Sequence, residues 1–118
     1  MYVIPGGTVP LLENWGHVTD LGAELIDGEG LIFGKFVFGG PDAPLSCAYF
    51  ATTKGSFRMV YPFNEHAVVV EGAITLTDER SGVTKDYAPG DAWFIEKGTP
   101  VLWVIHSERA TKNYCATA

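Results

Sequence analysis

The hydrophobic pattern of the chain is that of many short strands separated by turns. Beyond residue 30, runs rich in Val, Ile, Thr and aromatic residues alternate with clusters of Gly, Pro, Asp and Ser, a pattern typical of strands and their turns. The best helical segment, HVTDLGAELI, is weakened by its central Gly22. Eight or more short strands at nearly regular spacing predict an all-β sandwich or barrel.

The length of 118 residues suits one domain with a single core. The first thirty residues carry turn signals at PGG and DGEG and only short apolar pieces. We therefore expect residues 1–30 to form an extended arm that packs on the barrel or on a partner subunit. Residues 31–118 would form the barrel itself.

Composition and charge narrow the classes of partner. The formal net charge is −6, whereas nucleic acids and anionic membranes are bound through basic surfaces. No apolar run reaches the roughly 18 residues of a membrane span, and the N-terminus MYVIPGGTVP lacks the pattern of a signal peptide. These features predict a cytoplasmic protein that binds neither nucleic acid nor membrane.

Two cysteines, Cys47 and Cys115, have no metal-type spacing. They are most simply interpreted as buried or partly buried thiols in a reducing compartment. A disulfide between them has no support in the sequence.

A set of motifs in fixed order carries a family resemblance. Gly55 is followed by YPFNE at 61–65, EG at 71–72, PGD at 89–91 and KNY at 112–114. This order resembles the cupin superfamily, with its RmlC-like fold, over roughly residues 31–117. More narrowly, it is similar to the small DUF861-type cupins grouped with the (S)-ureidoglycine aminohydrolase cupin domain, most of which have no assigned activity. The resemblance implies a jelly-roll barrel of two antiparallel sheets with little helix.

The metal-binding positions of the general cupin pattern are largely lost. Aligning the two cupin motifs on Gly72 and Gly90 places the three histidine positions on Met59, Tyr61 and Val101. Of the four expected ligands only Glu65 remains, and first-row metals prefer imidazole, carboxylate or thiolate donors. We expect no tightly bound metal and no cofactor.

Strand alternation assigns the neighbours Glu65 and His66 to opposite faces. If Glu65 points into the barrel, as the resemblance implies, Met59 and Tyr61 point inward with it and His66 points outward. A buried carboxylate needs a partner, and the resemblance places Lys112 inward on the last strand. The alternative is an exposed lysine, with Glu65 bridging to a residue at the rim.

These assignments predict one pocket. Its candidate catalytic residues are Glu65, Lys112 and Tyr61. The candidate ligand-binding residues are Tyr49, Met59, Trp103 and Tyr114, and two further aromatic residues, Trp93 and Phe94, are assigned to the core.

Three functions remain open at this point. The pocket could perform acid–base chemistry on a small polar metabolite, with Glu65 as acid or base, Lys112 tuning it or holding an anionic group, and a tyrosine hydroxyl as donor. It could bind a ligand without turnover, as a sensor does. A metal-dependent activity like that of ureidoglycine aminohydrolase is the third. We also expect a homodimer, because Val68 and Val70 face away from the barrel interior and a partner would cover them.

Overall fold

The computed structural model describes all 118 residues and consists almost entirely of strands. One 3-10 turn occupies Val18–Leu21. The nine strands are β1 (Glu13–His17), β2 (Glu24–Gly28), β3 (Leu31–Phe38), β4 (Leu45–Val60), β5 (Asn64–Glu71), β6 (Ile74–Asp78), β7 (Thr84–Tyr87), β8 (Ala92–Ile95) and β9 (Pro100–Thr117). No helix in the structure is long and apolar enough to cross a membrane.

Two long strands, β4 and β9, organise the barrel because each takes part in both of its sheets. The first half of β4 pairs with β3 and its second half with β2, while β9 pairs first with β6 and then with β5. One sheet therefore has the order β1-β3-β4-β9-β5-β8, and the other has β2-β4-β9-β6-β7. All pairs are antiparallel. The predicted all-β jelly roll is confirmed.

The first thirty residues contribute two strands to this barrel. Strand β1 pairs with β3, and β2 pairs with the second half of β4. Val18, the first residue of the 3-10 turn between the two strands, and Ala23, which follows the turn, belong to the hydrophobic core. Only residues 1–12 precede the first strand. No break in the sheet separates residues 1–30 from the rest.

The start of the chain lies along the outer face of the first sheet. Residues 4–7 line a surface groove together with Tyr49, Val68 and Val70. The two valines are therefore half-buried beside the chain's own N-terminal segment. The homodimer stays a prediction.

A β-bulge in β4 reverses which residues face the interior. The register with β9 shifts between Thr53 and Gly55. Gly55 has φ 143°, and a Cβ at this position would overlap the carbonyl oxygen of Asp27. Before the bulge Phe50 faces the interior, and after it Phe57 and Met59 do. A bulge adds a residue to one strand and so changes the phase of the alternation.

The alternation of β8 decides the positions of its two aromatic side chains. Trp93 is buried in the core, whereas Phe94 is 63% exposed. The assignment of Phe94 to the core is therefore wrong. Successive side chains of a strand point to opposite faces, and β8 lies at the edge of its sheet, where nothing covers the outer face of Phe94.

The two cysteines are joined by a disulfide rather than free. Cys47 and Cys115 lie directly opposite each other on β4 and β9, with their Cα atoms 4.2 Å apart. The expectation of thiols is wrong because the two cysteines are 68 positions apart in the sequence and only the strand register brings them into contact. Disulfides are rare in reducing compartments, so the cysteines no longer support the cytoplasmic location, which stays a prediction.

Candidate functional site

An aromatic cavity opens between the two sheets. Its volume of about 350 Å³ is at the small end of the range of roughly 300–1,000 Å³ found for small-molecule sites. Eight of the lining residues are aromatic: Trp15, Phe36, Phe50, Phe57, Tyr61, Phe63, Trp103 and Tyr114. Leu21, Ile32, Pro41 and Met59 complete the apolar wall, and Lys112 is the one charged residue on it.

Glu65 lies directly behind this wall and is fully buried. Its carboxylate accepts three hydrogen bonds. The Tyr61 hydroxyl donates to Oε2 at 2.7 Å, Trp93 Nε1 donates to the same oxygen at 3.0 Å, and Lys112 Nζ donates to Oε1. A buried charge needs such compensation. Glu65 is therefore held in place by donors from three strands or their ends.

Lys112 connects the buried carboxylate to the cavity. The residue is 6% exposed, and Nζ lies 4.8 Å from the ring centroid of Trp103, 4.9 Å from that of Tyr114 and 5.0 Å from that of Phe50. These ring faces attract a cation. Burial lowers the pKa of the Lys112 amine, and the charge of Glu65 opposes this shift. The alternative of an exposed strand lysine does not hold.

The two tyrosines at the site stay protonated at neutral pH. Burial raises the pKa of Tyr61 well above its ordinary value, and the neighbouring charge of Glu65 raises it further. Burial and Glu65 also raise the pKa of Tyr114. The Tyr61 proton is engaged by Glu65, whereas Tyr114 lies on the cavity wall.

The shift at Tyr114 predicts how stability changes at high pH. Above pH 10 the unfolded chain ionises this phenol and the folded chain does not, so the folded state binds more protons and loses stability as pH rises. Between neutral pH and pH 11 this group should lower the free energy of unfolding of the wild type by about 1.4 kcal/mol, and Tyr114→Phe should not show this decrease. Urea unfolding at several pH values measures it. Tyr2→Phe, at an exposed ring, is the control, and equal alkaline profiles for wild type and Tyr114→Phe would contradict the expectation.

The structure brings together six of the seven predicted site residues. Lys112, Tyr61, Met59, Trp103 and Tyr114 line the cavity, and Glu65 contacts two of them from behind. Glu65 does not itself reach the cavity surface.

Tyr49 is the exception and must be corrected. It lies on the opposite face of β4, in grooves that it shares with the N-terminal segment. The bulge at Thr53 and Gly55 puts Tyr49 out of phase with Met59. Its neighbour Phe50, which pairs with Lys112 across the β4–β9 ladder, occupies the expected place on the wall.

Sequence reasoning missed the role of Trp93. This residue was assigned to the core, and it is buried there, but its indole N–H also binds Glu65. Strand β8 pairs with β5, and Trp93 lies opposite Ala67, two positions along the strand from the pair of Glu65 and Ile95. The turn PGD before β8 located the strand, but its register against β5 carries no signal in the sequence.

The residues present do not fit a cupin metal centre. The three histidine positions hold Met59, Tyr61 and Val101, and the remaining carboxylate of Glu65 is already engaged by two neutral donors and an ammonium. No group of three His, Cys, Asp or Glu residues lies close enough to hold an ion. A thioether, a protonated phenol and an isopropyl group are poor ligands for first-row metals.

Solved structures share this fold at low sequence identity. The EutQ protein of Clostridium difficile superposes with a TM-score of 0.61 and 20% identity, covering 77% of this chain and 68% of that chain. A DUF861-family protein of unknown function from Pseudomonas syringae pv. tomato gives a TM-score of 0.73 and 20% identity, covering 92% of this chain but 45% of that one. The polyketide cyclase RemF of Streptomyces resistomycificus gives 0.61 and 24%, covering 86% and 76%. At these identities the likeness shows the fold alone.

A family model matches the sequence itself. No curated protein matches the chain, but the model of the EutQ-like cupin domain matches residues 39–114. This stretch is more than half of the chain and contains the YPFNE, EG, PGD and KNY motifs together with most of the cavity wall. The chain belongs to the EutQ-like cupin domain family.

Proposed function

We propose that this cupin binds a small molecule in the aromatic cavity and moves a proton on it through Lys112. One observation carries the proposal. Lys112 is the only charged residue on the cavity wall, and its counterion, Glu65, is sealed behind it. A single ionisable amine in an apolar pocket is a typical arrangement for a proton-transfer site.

The proton would move at Lys112 Nζ. The ammonium gives a proton to a carbonyl oxygen of the bound molecule, so that an N–H bond breaks and an O–H bond forms. The amine that remains takes a proton from the carbon next to the carbonyl group. The C–H electron pair becomes a C=C bond and the π pair of the C=O bond stays on the oxygen, which restores the ammonium and leaves the enol isomer as product. Burial lowers the pKa of Lys112, which brings the amine closer to the range in which it can both give and take a proton.

Glu65 and Tyr61 would act as positioning residues. Glu65 holds Nζ from behind and stabilises the ammonium form, and Tyr61 together with Trp93 holds the carboxylate in place. This differs from the sequence-based hypothesis, in which Glu65 itself contacts the substrate. Met59, Trp103 and Tyr114 would form the binding surface.

Binding without turnover is the second candidate. It is favoured by the complete pairing of Glu65, whose carboxylate meets three donors and needs no ligand to become satisfied. A ligand could then rest against the aromatic wall while the ion pair stays unchanged. The third hypothesis, a metal-dependent aminohydrolase, has no support, because the residues at the metal-ligand positions described above are poor ligands.

Deuterium exchange separates the two candidates. The protein is incubated in D₂O with a small-molecule extract, and mass spectrometry follows deuterium at carbon-bound positions. We expect at least one compound to exchange with wild type and to exchange about 100-fold to 10,000-fold more slowly with Lys112→Met, the usual contribution of acid–base catalysis.

The exposed Lys97 provides the control for this experiment, and Lys97→Met should exchange like wild type. Compounds that bind wild type but never exchange would overturn the catalytic proposal in favour of binding alone.

A further inference from the structure

We infer that the ligand of this cavity is an uncharged, flat, mainly apolar molecule that presents a hydrogen-bond acceptor such as a ketone or aldehyde oxygen to Lys112. The inference rests on the proposed function and deepens it, since it concerns the same cavity. It replaces the small polar metabolite expected from the sequence with a mainly apolar molecule. It follows from the charge balance, the polar atoms and the shape of the wall.

The charge balance excludes a ligand with a net charge. The ammonium of Lys112 is already neutralised by the carboxylate of Glu65, and no other acidic or basic side chain lines the cavity. An anionic ligand would leave one negative charge uncompensated in an apolar enclosure, and a cationic ligand would leave one positive charge. Uncompensated charges are strongly disfavoured in such surroundings.

The polar atoms of the wall call for an acceptor on the ligand. The lining residues include no Asp, Glu, Asn, Gln, Ser, Thr or His, so phenol oxygens are the only side-chain acceptors. The side-chain donors on the lining residues are the ammonium of Lys112, which has three protons and uses one on Glu65, the hydroxyl of Tyr114, and the indole N–H groups of Trp15 and Trp103. The buried N–H of Trp103 has no partner within the protein. A carbonyl oxygen matches these donors, whereas an amine or ammonium would find no strong acceptor.

The shape of the wall favours a flat molecule. Phe63 and Tyr114 are nearly parallel, with 9° between their planes, and Phe57 lies against Trp103 at 18°. Flat aromatic surfaces interact best with flat partners in offset stacking. One ring of each pair lies close to the Lys112 amine, with ring centroids 4.8 Å away for Trp103 and 4.9 Å away for Tyr114, and this arrangement favours a conjugated or aromatic carbonyl compound.

Four probes of one ring size test the inference, and equilibrium dialysis measures their binding to wild type. They are 2-acetylnaphthalene, which is neutral with an acceptor, 2-naphthoate, 2-naphthylmethylammonium and 2-ethylnaphthalene, which has no polar group. We expect the ketone to bind at least tenfold more tightly than each of the other three. Tightest binding of naphthoate would overturn the charge argument, equal binding of ketone and hydrocarbon would overturn the role of Lys112, and no binding at millimolar concentration would overturn the ligand class.

Two variants sharpen the result. Lys112→Met should abolish the advantage of the ketone over the hydrocarbon, and Lys97→Met should keep it. Glu65→Gln frees the charge of Lys112 and should raise the affinity for naphthoate at least tenfold. Because the wild-type ranking decides the inference alone, an unstable Glu65→Gln protein does not block the test.

The proposed function and this inference fail in different ways. Deuterium exchange without a preference for the ketone leaves the proton-transfer proposal standing and overturns the ligand class. A preference for the ketone without any exchange overturns the proton-transfer proposal and leaves the ligand class standing.

Discussion

Replacing Glu65 with Gln is expected to lower the free energy of unfolding by about 3–5 kcal/mol, the usual result of removing one partner of a buried ion pair. The amide keeps the shape of the side chain but loses its charge, so the ammonium of Lys112 stays buried without a counterion. Gln also brings an NH₂ group to a place where Tyr61, Trp93 and Lys112 all point donors. At least one of these donors must then lose its acceptor, which adds to the penalty.

Urea unfolding at neutral pH measures this loss, and the adjacent residue provides the control. His66 is exposed on the outer face of the same strand, so His66→Ala should change stability by no more than about 0.5 kcal/mol. A damaging His66→Ala together with a silent Glu65→Gln would show that the side chains of β5 face the other way.

Lys112→Met is expected to be similarly destabilising alone but not in combination with Glu65→Gln. In the single variant the fully buried carboxylate loses its only cationic partner, again at a cost of about 3–5 kcal/mol. The double variant contains no buried charge, and the Gln oxygen still accepts from Tyr61 and Trp93 while Met fills the space of the lysine stem.

A double-mutant cycle measures this coupling. We expect the double variant to lose less free energy of unfolding than the two single variants lose together, by more than about 1 kcal/mol. Residues in contact typically show such a difference of roughly 0.5–3 kcal/mol. Additive losses would mean that Glu65 and Lys112 do not form a pair in solution. Glu71→Gln, which breaks the half-exposed contact with Arg109, is the matched control for loss of a surface carboxylate.

The local pattern of the sequence was enough for the class of fold and for one part of the site. Short runs of β-branched and aromatic residues between turn residues predict antiparallel strands. In a domain of this size such strands are expected to close into a barrel, which leaves few strand edges exposed. Alternation along a single regular strand was also reliable. It placed Glu65 inside and His66 outside, because the two-residue period of a strand leaves no freedom once one side chain is assigned.

The pairing of Glu65 with Lys112 was inferred from the cost of an isolated buried charge together with the family resemblance. Physical chemistry required that the carboxylate have a partner, and the resemblance pointed to the last strand. The structure adds that Lys112 lines the cavity while Glu65 is fully buried behind it. This arrangement depends on the depth of each side chain in the barrel, which a linear pattern does not encode.

Register and bulges were decided only by the tertiary structure. The bulge between Thr53 and Gly55 moved Tyr49 to the outer face and brought Phe50 to the wall, because the added residue changes the phase of the alternation from one side of the bulge to the other. The disulfide between Cys47 and Cys115 and the bond from Trp93 to Glu65 depend on the same kind of information. Periodicity assigns the faces of one strand, but which residues of different strands meet depends on long-range pairing that balances the whole core at once.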